Sequence, residues 1–258
     1  PYYTKLAMAA AGGRAPDVAI MHATRVLGWA PGGLLDAWDL GRLAELGVDE
    51  STFAAPIWQK GQVGDRHLSI ALDAHPFVLM YNTDICRRAG VLDEDGALRQ
   101  AASPEEFLEI VEAVAAQSEG HGLSYGYLGD GAQMWRLFYT LYTQHGIEME
   151  LPEGGTAVID ADAAVESLAF MQTLLDGTLA AAQNDYGTAV AEFATGKSGL
   201  FLTGVWELRT MQDAGIPFDA TMFPAIYGTP AVYADSHSFV LPRQTNPDAA
   251  RRELVYRF

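Results

Sequence analysis

Short apolar runs, each closed by a polar or turn-forming break, predict strands along the whole chain. The predicted strands are Asp17–Met21, Leu68–Leu72, Phe77–Tyr81, Gly199–Leu202, Phe218–Phe223 and Phe239–Leu241. Helices marked by capping and stop signals fall between them, and strands that alternate with helices are typical of an α/β domain. The pattern therefore predicts an α/β fold that is rich in helices.

The clearest helix start is Ser103-Pro104-Glu105-Glu106. Ser103 is a preferred N-cap residue, Pro104 suits the first helical position and Glu106 completes a capping box, so a helix is predicted to about Gln117. Thr83 or Asp84 is predicted to cap a short helix that ends at Gly90. The other predicted helices are Tyr2–Ala11, Ala163–Leu175 with Asp162 as its cap, Tyr186–Thr195, Trp206–Asp213 and Pro247–Phe258.

Length and charge narrow the class of protein. The 258 residues exceed the ~150 residues of a typical domain, which predicts two lobes. Sixteen basic and 33 acidic residues give a net charge of −17, and this charge disfavours nucleic acid and anionic membrane surfaces as partners. No apolar run reaches the ~18 residues of a membrane-spanning helix.

The residues that usually bind metals are few and poorly spaced. Cys86 is the only cysteine, which excludes an intrachain disulfide and a thiolate metal site, and we interpret it as a helix packing residue. The six histidines include no pair at i,i+4 and no His-Glu-x-x-His motif. The sequence predicts neither a metal site nor a cofactor.

One motif favours an enzyme. Gly122-Leu-Ser-Tyr-Gly126 matches the Gly-x-Ser-x-Gly elbow of serine hydrolases, which requires a strand directly before it and a helix directly after it. Its flanks here are polar before and glycine-rich after, so a hydrolase acting through Ser124 stays only as the alternative. Gly196-Lys197-Ser198 is not a phosphate loop, because Ala191 stands where the first glycine is required.

Asp73 and His75 lie in the break between two apolar strands, where a sheet opens to solvent. Open α/β sheets bind their ligands at such places. Since no nucleophile, metal cluster or phosphate loop accompanies the pair, the pattern favours a site that holds a ligand over one that reacts with it.

Four stretches carry a family resemblance, in order and over nearly the whole chain. They are Gly13-Arg-Ala-Pro-Asp-Val18, Leu68–Asp84, the Phe193-x-x-Gly196-Lys197 to Gly204-Val-Trp206 block, and Pro247–Phe258. In these motifs the chain resembles the family-1 extracellular solute-binding proteins of bacterial ABC importers, a family that includes the maltose-binding protein.

The resemblance implies a two-lobe, type II periplasmic-binding-protein-like fold that grips its ligand between the lobes by hinge closure. Residues 1–82 and about 220–258 would belong to the N-terminal lobe, and about 83–219 to the C-terminal lobe. Crossovers are expected near 78–84 and near 215–225. Relative to the family pattern, the opening strand–helix–strand and the last helical segment are missing, so we expect a fold that is incomplete at both termini.

The resemblance also implies a ligand site. A sugar presents apolar faces to flat aromatic rings and a rim of hydroxyls to charged hydrogen-bonding groups. The residues expected to contact the ligand are Asp73, Trp206, Arg25, His22, Trp135, His75, Glu207, Asp235 and His237. Trp29, Trp38 and Trp58 are expected to pack inside a lobe.

The function implied is that of the extracytoplasmic substrate-binding component of an ABC importer, specific for a carbohydrate, with an oligosaccharide favoured and no catalysis of its own. Its expected partners are the sugar and the membrane permease subunits, with a lipid anchor outside this segment as the link to the membrane. The protein would lie in the periplasm or on the outer face of the cell membrane. A receptor for a polyamine, peptide or oxyanion stays as an alternative within the binding class.

Overall fold

The computed structural model describes residues 2–151 and 155–258. The helices are α1 (Tyr2–Ala11), α2 (Ala23–Trp29), α3 (Leu40–Glu45), α4 (Ala55–Lys60), α5 (Thr83–Ala89), α6 (Pro104–Ala115), α7 (Gly131–Thr143), α8 (Ala161–Leu174), α9 (Tyr186–Ala194), α10 (Leu208–Ala214) and α11 (Ala249–Arg257), with 3-10 turns at Glu50–Thr52 and Val205–Glu207. The strands are β1 (Ala19–His22), β2 (Leu35–Asp36), β3 (Gln62–Val63), β4 (Arg66–His67), β5 (Ser69–Ala71), β6 (His75–Asn82), β7 (Leu123–Ser124), β8 (Leu200–Gly204), β9 (Phe218–Met222), β10 (Ala234–Asp235) and β11 (His237–Pro242). This mixture confirms the predicted α/β class. No helix within these residues is both long and apolar enough to cross a membrane.

The chain divides into two compact units. Unit 1 consists of the chain up to His75 together with Asp235–Phe258, and unit 2 is the continuous segment Pro76–Ala234. The predicted lobe boundaries near residues 82 and 220 stay a prediction. β6 belongs largely to unit 2 because it pairs with both β8 and β9. The segment after β9 stays in unit 2 because its Phe223 and Ile226 are buried in the main apolar cluster there.

Strand β11 organises the sheet of unit 1. It pairs antiparallel with β1, β2 and β5, and Phe239 stands in register with Ile20 on one side and Ile70 on the other. Side chains alternate across a strand. Accordingly, Val240 packs into one apolar cluster while Phe239 and Leu241 pack into another. In the structure this strand is longer at both ends than the predicted Phe239–Leu241.

Strand β6 has the same organising position in unit 2. It lies between β8 and β9, antiparallel to both, while β7 pairs parallel with β8. Phe77, Leu79 and Tyr81 pack into the largest apolar cluster, and Val78 and Met80 pack into a second one. A strand covered on both faces is a near-continuous apolar run, which explains why this strand is so evident in the sequence.

The helix starts follow the predicted chemistry, with two corrections in the residue that acts as the cap. The Ser103 hydroxyl accepts a hydrogen bond from the Glu106 backbone N–H, as predicted for α6. The side chain of Asn82, not Thr83 or Asp84, caps α5, because the residue just outside the first turn faces its unpaired N–H groups. For the same reason Asp160, not Asp162, caps α8. The predicted helix at Trp206 begins as a 3-10 turn, and α10 starts at Leu208.

Gly199 provides a test of the close packing in unit 2. A Cβ atom there would lie 2.3 Å from Cγ1 of Val114 and 2.8 Å from Cγ2 of Ile85. We expect Gly199→Ala to lower the free energy of unfolding by ~1–3 kcal/mol, because overpacking displaces side chains that cannot move away. Urea denaturation of the full-length protein measures this change.

Gly131→Ala is the matched control. Gly131 also lies in unit 2 and opens α7, and a Cβ atom added there would have no atom within 4 Å apart from its chain neighbours and the backbone of its own helix. Alanine is the better helix former, so this variant should be as stable as the wild type or slightly more stable. Equal stability of the two alanine variants would contradict the described packing around Gly199.

Candidate functional site

The predicted ligand-binding residues fall into two groups, one in each unit. Unit 1 contains His22, Arg25, Asp73, His75, Asp235 and His237, and unit 2 contains Trp135, Trp206 and Glu207. Each group has its own set of contacts.

Trp206 is fixed by its surroundings in unit 2. Its ring lies so close to Gly204 that a Cβ at that position would be 1.9 Å from the indole. Its Nε1–H donates a hydrogen bond to the hydroxyl of Tyr186 at 2.6 Å. The glycine at the end of β8 thus permits the indole to fold back over the backbone, and Tyr186 sets its orientation.

A guanidinium group lies on the same tryptophan. The Cζ atom of Arg136 is 4.9 Å from the centre of the Trp206 ring and 5.9 Å from that of Tyr233, which are cation–π distances. Nη1 of Arg136 donates to the side-chain oxygen of Gln133. Its Nε is buried and has no hydrogen-bond partner among the described residues. A buried donor without an acceptor is costly.

Glu207 is buried next to Trp206, although it is charged. Its carboxylate accepts a hydrogen bond from the hydroxyl of Tyr186. Burial and this carboxylate together raise the pKa of Tyr186 to about 12, so the phenol keeps its proton at neutral pH. Trp206, Tyr186 and Glu207 therefore form a chain of hydrogen bonds with a defined direction.

Trp135 extends this arrangement along α7. Its ring, 38% exposed, lies 5.6 Å from that of Tyr139, and Tyr139 makes an edge-on contact with Tyr233 at 6.0 Å. We define the unit 2 aromatic cluster by its seven members, Trp135, Arg136, Tyr139, Tyr186, Trp206, Glu207 and Tyr233. The structure brings all three predicted unit 2 residues into this cluster, which combines flat apolar rings with charged groups.

Asp73 holds two histidines in unit 1. Its Oδ1 lies 3.1 Å from Nδ1 of His75, its Oδ2 lies 2.7 Å from Nδ1 of His237, and the His237 backbone N–H donates to Oδ1 at 2.7 Å. Partial burial alone would raise the pKa of the Asp73 carboxyl, but the hydrogen bonds from His237 and His75 outweigh it and lower that pKa. Both carboxylate oxygens thus already serve to position imidazoles.

The other predicted residues of unit 1 lie around the start of α2. The Asp235 carboxylate accepts hydrogen bonds from the backbone N–H and the hydroxyl of Thr24, which satisfies one of the unpaired N–H groups of that helix. Arg25 places its guanidinium 5.4 Å from the centre of the Tyr3 ring. The Tyr3 hydroxyl lies 2.5 Å from Nδ1 of His22, whose ring is 4.7 Å from that of His237.

Ser124 does not have the setting of a nucleophile elbow. It lies within strand β7 and is fully buried, and the next helix begins only at Gly131. Its hydroxyl donates to the Glu192 carboxylate at 2.9 Å and lies 2.6 Å from the hydroxyl of Ser198. These contacts form a buried polar network, whereas a nucleophile elbow places its serine on an exposed turn.

Sequence reasoning missed several members of the unit 2 aromatic cluster. Arg136 directly follows Trp135, and a charged residue beside a predicted site tryptophan was the one available signal. Tyr186 opens α9, twenty positions before Trp206, and nothing in its local sequence marks it. Its role arises only from the packing of α9 beside the end of β8.

Comparison with known proteins identifies the family to which this chain belongs. The sequence matches the family of bacterial extracellular solute-binding proteins over residues 2–253, which is nearly the whole chain. The chain belongs to this family, and the predicted resemblance is confirmed. No curated protein matches the sequence.

Two solved structures share the fold. One is the GacH receptor of Streptomyces glaucescens GLA.O, solved unliganded and in complex with acarbose and an acarbose homolog; it is 18% identical with a TM-score of 0.76, over 98% of this chain and 63% of the receptor. The other is the ABC substrate-binding protein Lmo0181 from Listeria monocytogenes in complex with cycloalternan, 19% identical with a TM-score of 0.76, over 99% and 63%. This chain thus spans about 63% of the length of either protein. The likeness confirms the predicted fold class.

The lowered pKa of Asp73 can be tested directly. We expect His237→Ala to raise it, because the variant removes the strongest of the hydrogen bonds that favour the carboxylate. An NMR pH titration of the Asp73 carboxyl carbon measures the shift. Since a lowered pKa stabilises the fold above the unfolded value of ~3.9, this stabilisation should be lost as the pH falls through the folded value.

His121→Ala, in unit 2, is the control for this titration and should leave the Asp73 pKa unchanged. A wild-type carboxyl that titrates at the ordinary value would show that the two imidazoles do not hold Asp73 as described.

Proposed function

We propose that this chain binds a carbohydrate as the substrate-binding component of an ABC importer. The observation that carries the proposal is the unit 2 aromatic cluster. It joins the rings of Trp135, Tyr233 and Trp206 to the charged groups of Arg136 and Glu207 within one set of contacts. A sugar needs this combination, because its apolar C–H faces stack on rings while its hydroxyls bond to charged groups.

The unsatisfied Nε of Arg136 makes the proposal more specific. Its buried donor is compatible with a ligand oxygen, and a sugar hydroxyl supplies such an acceptor. Glu207 provides a hydrogen-bond acceptor, because a carboxylate accepts a hydrogen bond from a hydroxyl group. A donor and an acceptor beside one indole can therefore bind two hydroxyls of a sugar that stacks on the rings. We propose Trp135, Trp206 and Glu207 as ligand contacts on this basis.

The relatives support the same ligand class. The GacH receptor was solved with acarbose and Lmo0181 with cycloalternan, and the latter is described as an ABC substrate-binding protein. By analogy with them, we propose that this chain binds a sugar and that membrane permease subunits are its partners. We also propose that it catalyses no reaction. From the family description we propose an extracytoplasmic location, with a lipid anchor outside this segment.

A thermal-shift screen of the full-length protein against mono- and oligosaccharides tests the function. A ligand that binds only the folded state adds RT ln(1 + [L]/Kd), about 2.7 kcal/mol at a hundredfold excess over Kd, so the cognate sugar should raise Tm by several degrees. A polyamine and peptide panel is run beside it. If Tm rises only with a member of that panel, the ligand is a polyamine or peptide and not a sugar. Hydrolysis of an ester or amide by the protein would overturn the receptor function.

The role of Trp206 is tested with the sugar that gives the largest shift. Trp206→Leu should weaken binding at least tenfold in calorimetry, because an aromatic contact contributes ~0.5–1.5 kcal/mol beyond the apolar area that is lost as well. Trp58→Leu is the matched control, since Trp58 is also half-buried and stacks on Phe53 at 5.0 Å in unit 1. The control should lower Tm and leave affinity unchanged. Unchanged affinity in Trp206→Leu would assign that indole to packing alone.

A further inference from the structure

Three imidazoles converge in unit 1 although they are far apart in the sequence. His22 ends β1, His237 begins β11, and these two residues are directly opposite in the antiparallel register. His75 begins β6, and its ring lies 4.5 Å from that of His237 and 5.7 Å from that of His22. One ring nitrogen of each residue lies within 4.8 Å of the other two, a group that stands out within the described part of the chain.

Nδ1 of each of the three rings has an oxygen neighbour. Nδ1 of His75 and Nδ1 of His237 face the two oxygens of Asp73, and Nδ1 of His22 faces the Tyr3 hydroxyl. A carboxylate only accepts hydrogen bonds, so a neutral imidazole beside Asp73 carries its proton on Nδ1 and its lone pair on Nε2. Histidines that bind metals are held in this way, with the non-coordinating nitrogen donating to a carboxylate or another oxygen.

We propose that His22, His75 and His237 bind a divalent transition-metal ion, with Zn²⁺ as the reference ion and Asp73 as the positioning residue. Imidazole donors suit zinc, copper and nickel and do not suit calcium or magnesium. Zn–N bonds of ~2.0–2.1 Å require nitrogens about 3.4 Å apart in a tetrahedron. The ring nitrogens lie within 4.8 Å of one another, so the rings close by at most about 1.4 Å to bind the ion. His22 and His237 are half-buried, which leaves room for that rotation, while buried His75 provides the fixed point.

Charge also favours a cation at this cluster. Asp73 places a carboxylate behind two of the three rings, and the chain as a whole carries a net charge of −17. Three protein ligands leave one position of a tetrahedral ion for water or for a donor from outside the protein. The proposal does not depend on the proposed sugar contacts Trp135, Trp206 and Glu207, because none of them belongs to this cluster.

Calorimetric titration of the metal-free, tag-free full-length protein with Zn²⁺ tests the proposal. We expect one equivalent to bind at this cluster. His22→Ala and His237→Ala should each weaken zinc affinity at least tenfold, and Asp73→Asn should weaken it by ~10–100-fold through loss of imidazole positioning. His121→Ala, which removes a half-buried histidine of unit 2, is the matched control and should bind zinc as the wild type does.

A measurement on the wild type avoids reliance on variants that fail to fold. Nitrogen NMR of the histidine side chains should show zinc shifting the Nε2 resonances of the three cluster residues and leaving His121 unchanged. The proposal is overturned if zinc shifts none of these resonances. It is equally overturned if the same equivalent binds undiminished to a folded His22→Ala/His237→Ala double variant. A sugar screen without any response would not affect either outcome.

Discussion

The burial of both faces of β6 is the constraint on which unit 2 depends. Phe77, Leu79 and Tyr81 point to one apolar cluster and Val78 and Met80 to another, so this strand needs covering layers on both sides. The helices that cover it, and the partner strands β8 and β9, are thereby fixed in place. Gly204 ends β8, and Trp206 follows two residues later. There Trp206 contacts both Tyr186 and Arg136.

Contacts within unit 2 fix the position of Trp206 in the unit 2 aromatic cluster. Trp206 is held from three directions, by the close approach of Gly204, by the hydroxyl of Tyr186 and by the guanidinium of Arg136. Binding to groups that are already ordered avoids part of the conformational entropy that a flexible site loses. In the proposed sugar site, a fixed indole would also select by shape, because it cannot move to meet a ligand whose apolar face lies elsewhere.

Local chemistry explains which parts of this structure were predictable from sequence. The start of α6 follows from Ser103 and its neighbours, and Gly90 ends α5 in the left-handed conformation, since both signals act within one turn. The division into two units depends on strand pairing between distant segments, which local patterns do not encode. The family resemblance led to Trp206 and Glu207, whereas Arg136 and Tyr186 and the meeting of three histidines depend on tertiary packing that no spacing in the chain encodes.

The pairing of β11 has a consequence for how the chain acquires its structure. Val240 stands opposite Ala19, so the central strand of unit 1 comes from near the end of this sequence and its partners from near the beginning. Unit 2 is continuous and can fold as soon as its own residues have emerged during synthesis. Unit 1 must wait, with β1 and β5 lacking their shared partner, until β11 is made. Contacts between such distant segments close slowly, so the edges of β1 and β5 are the surfaces that most need protection from aggregation in the nascent protein.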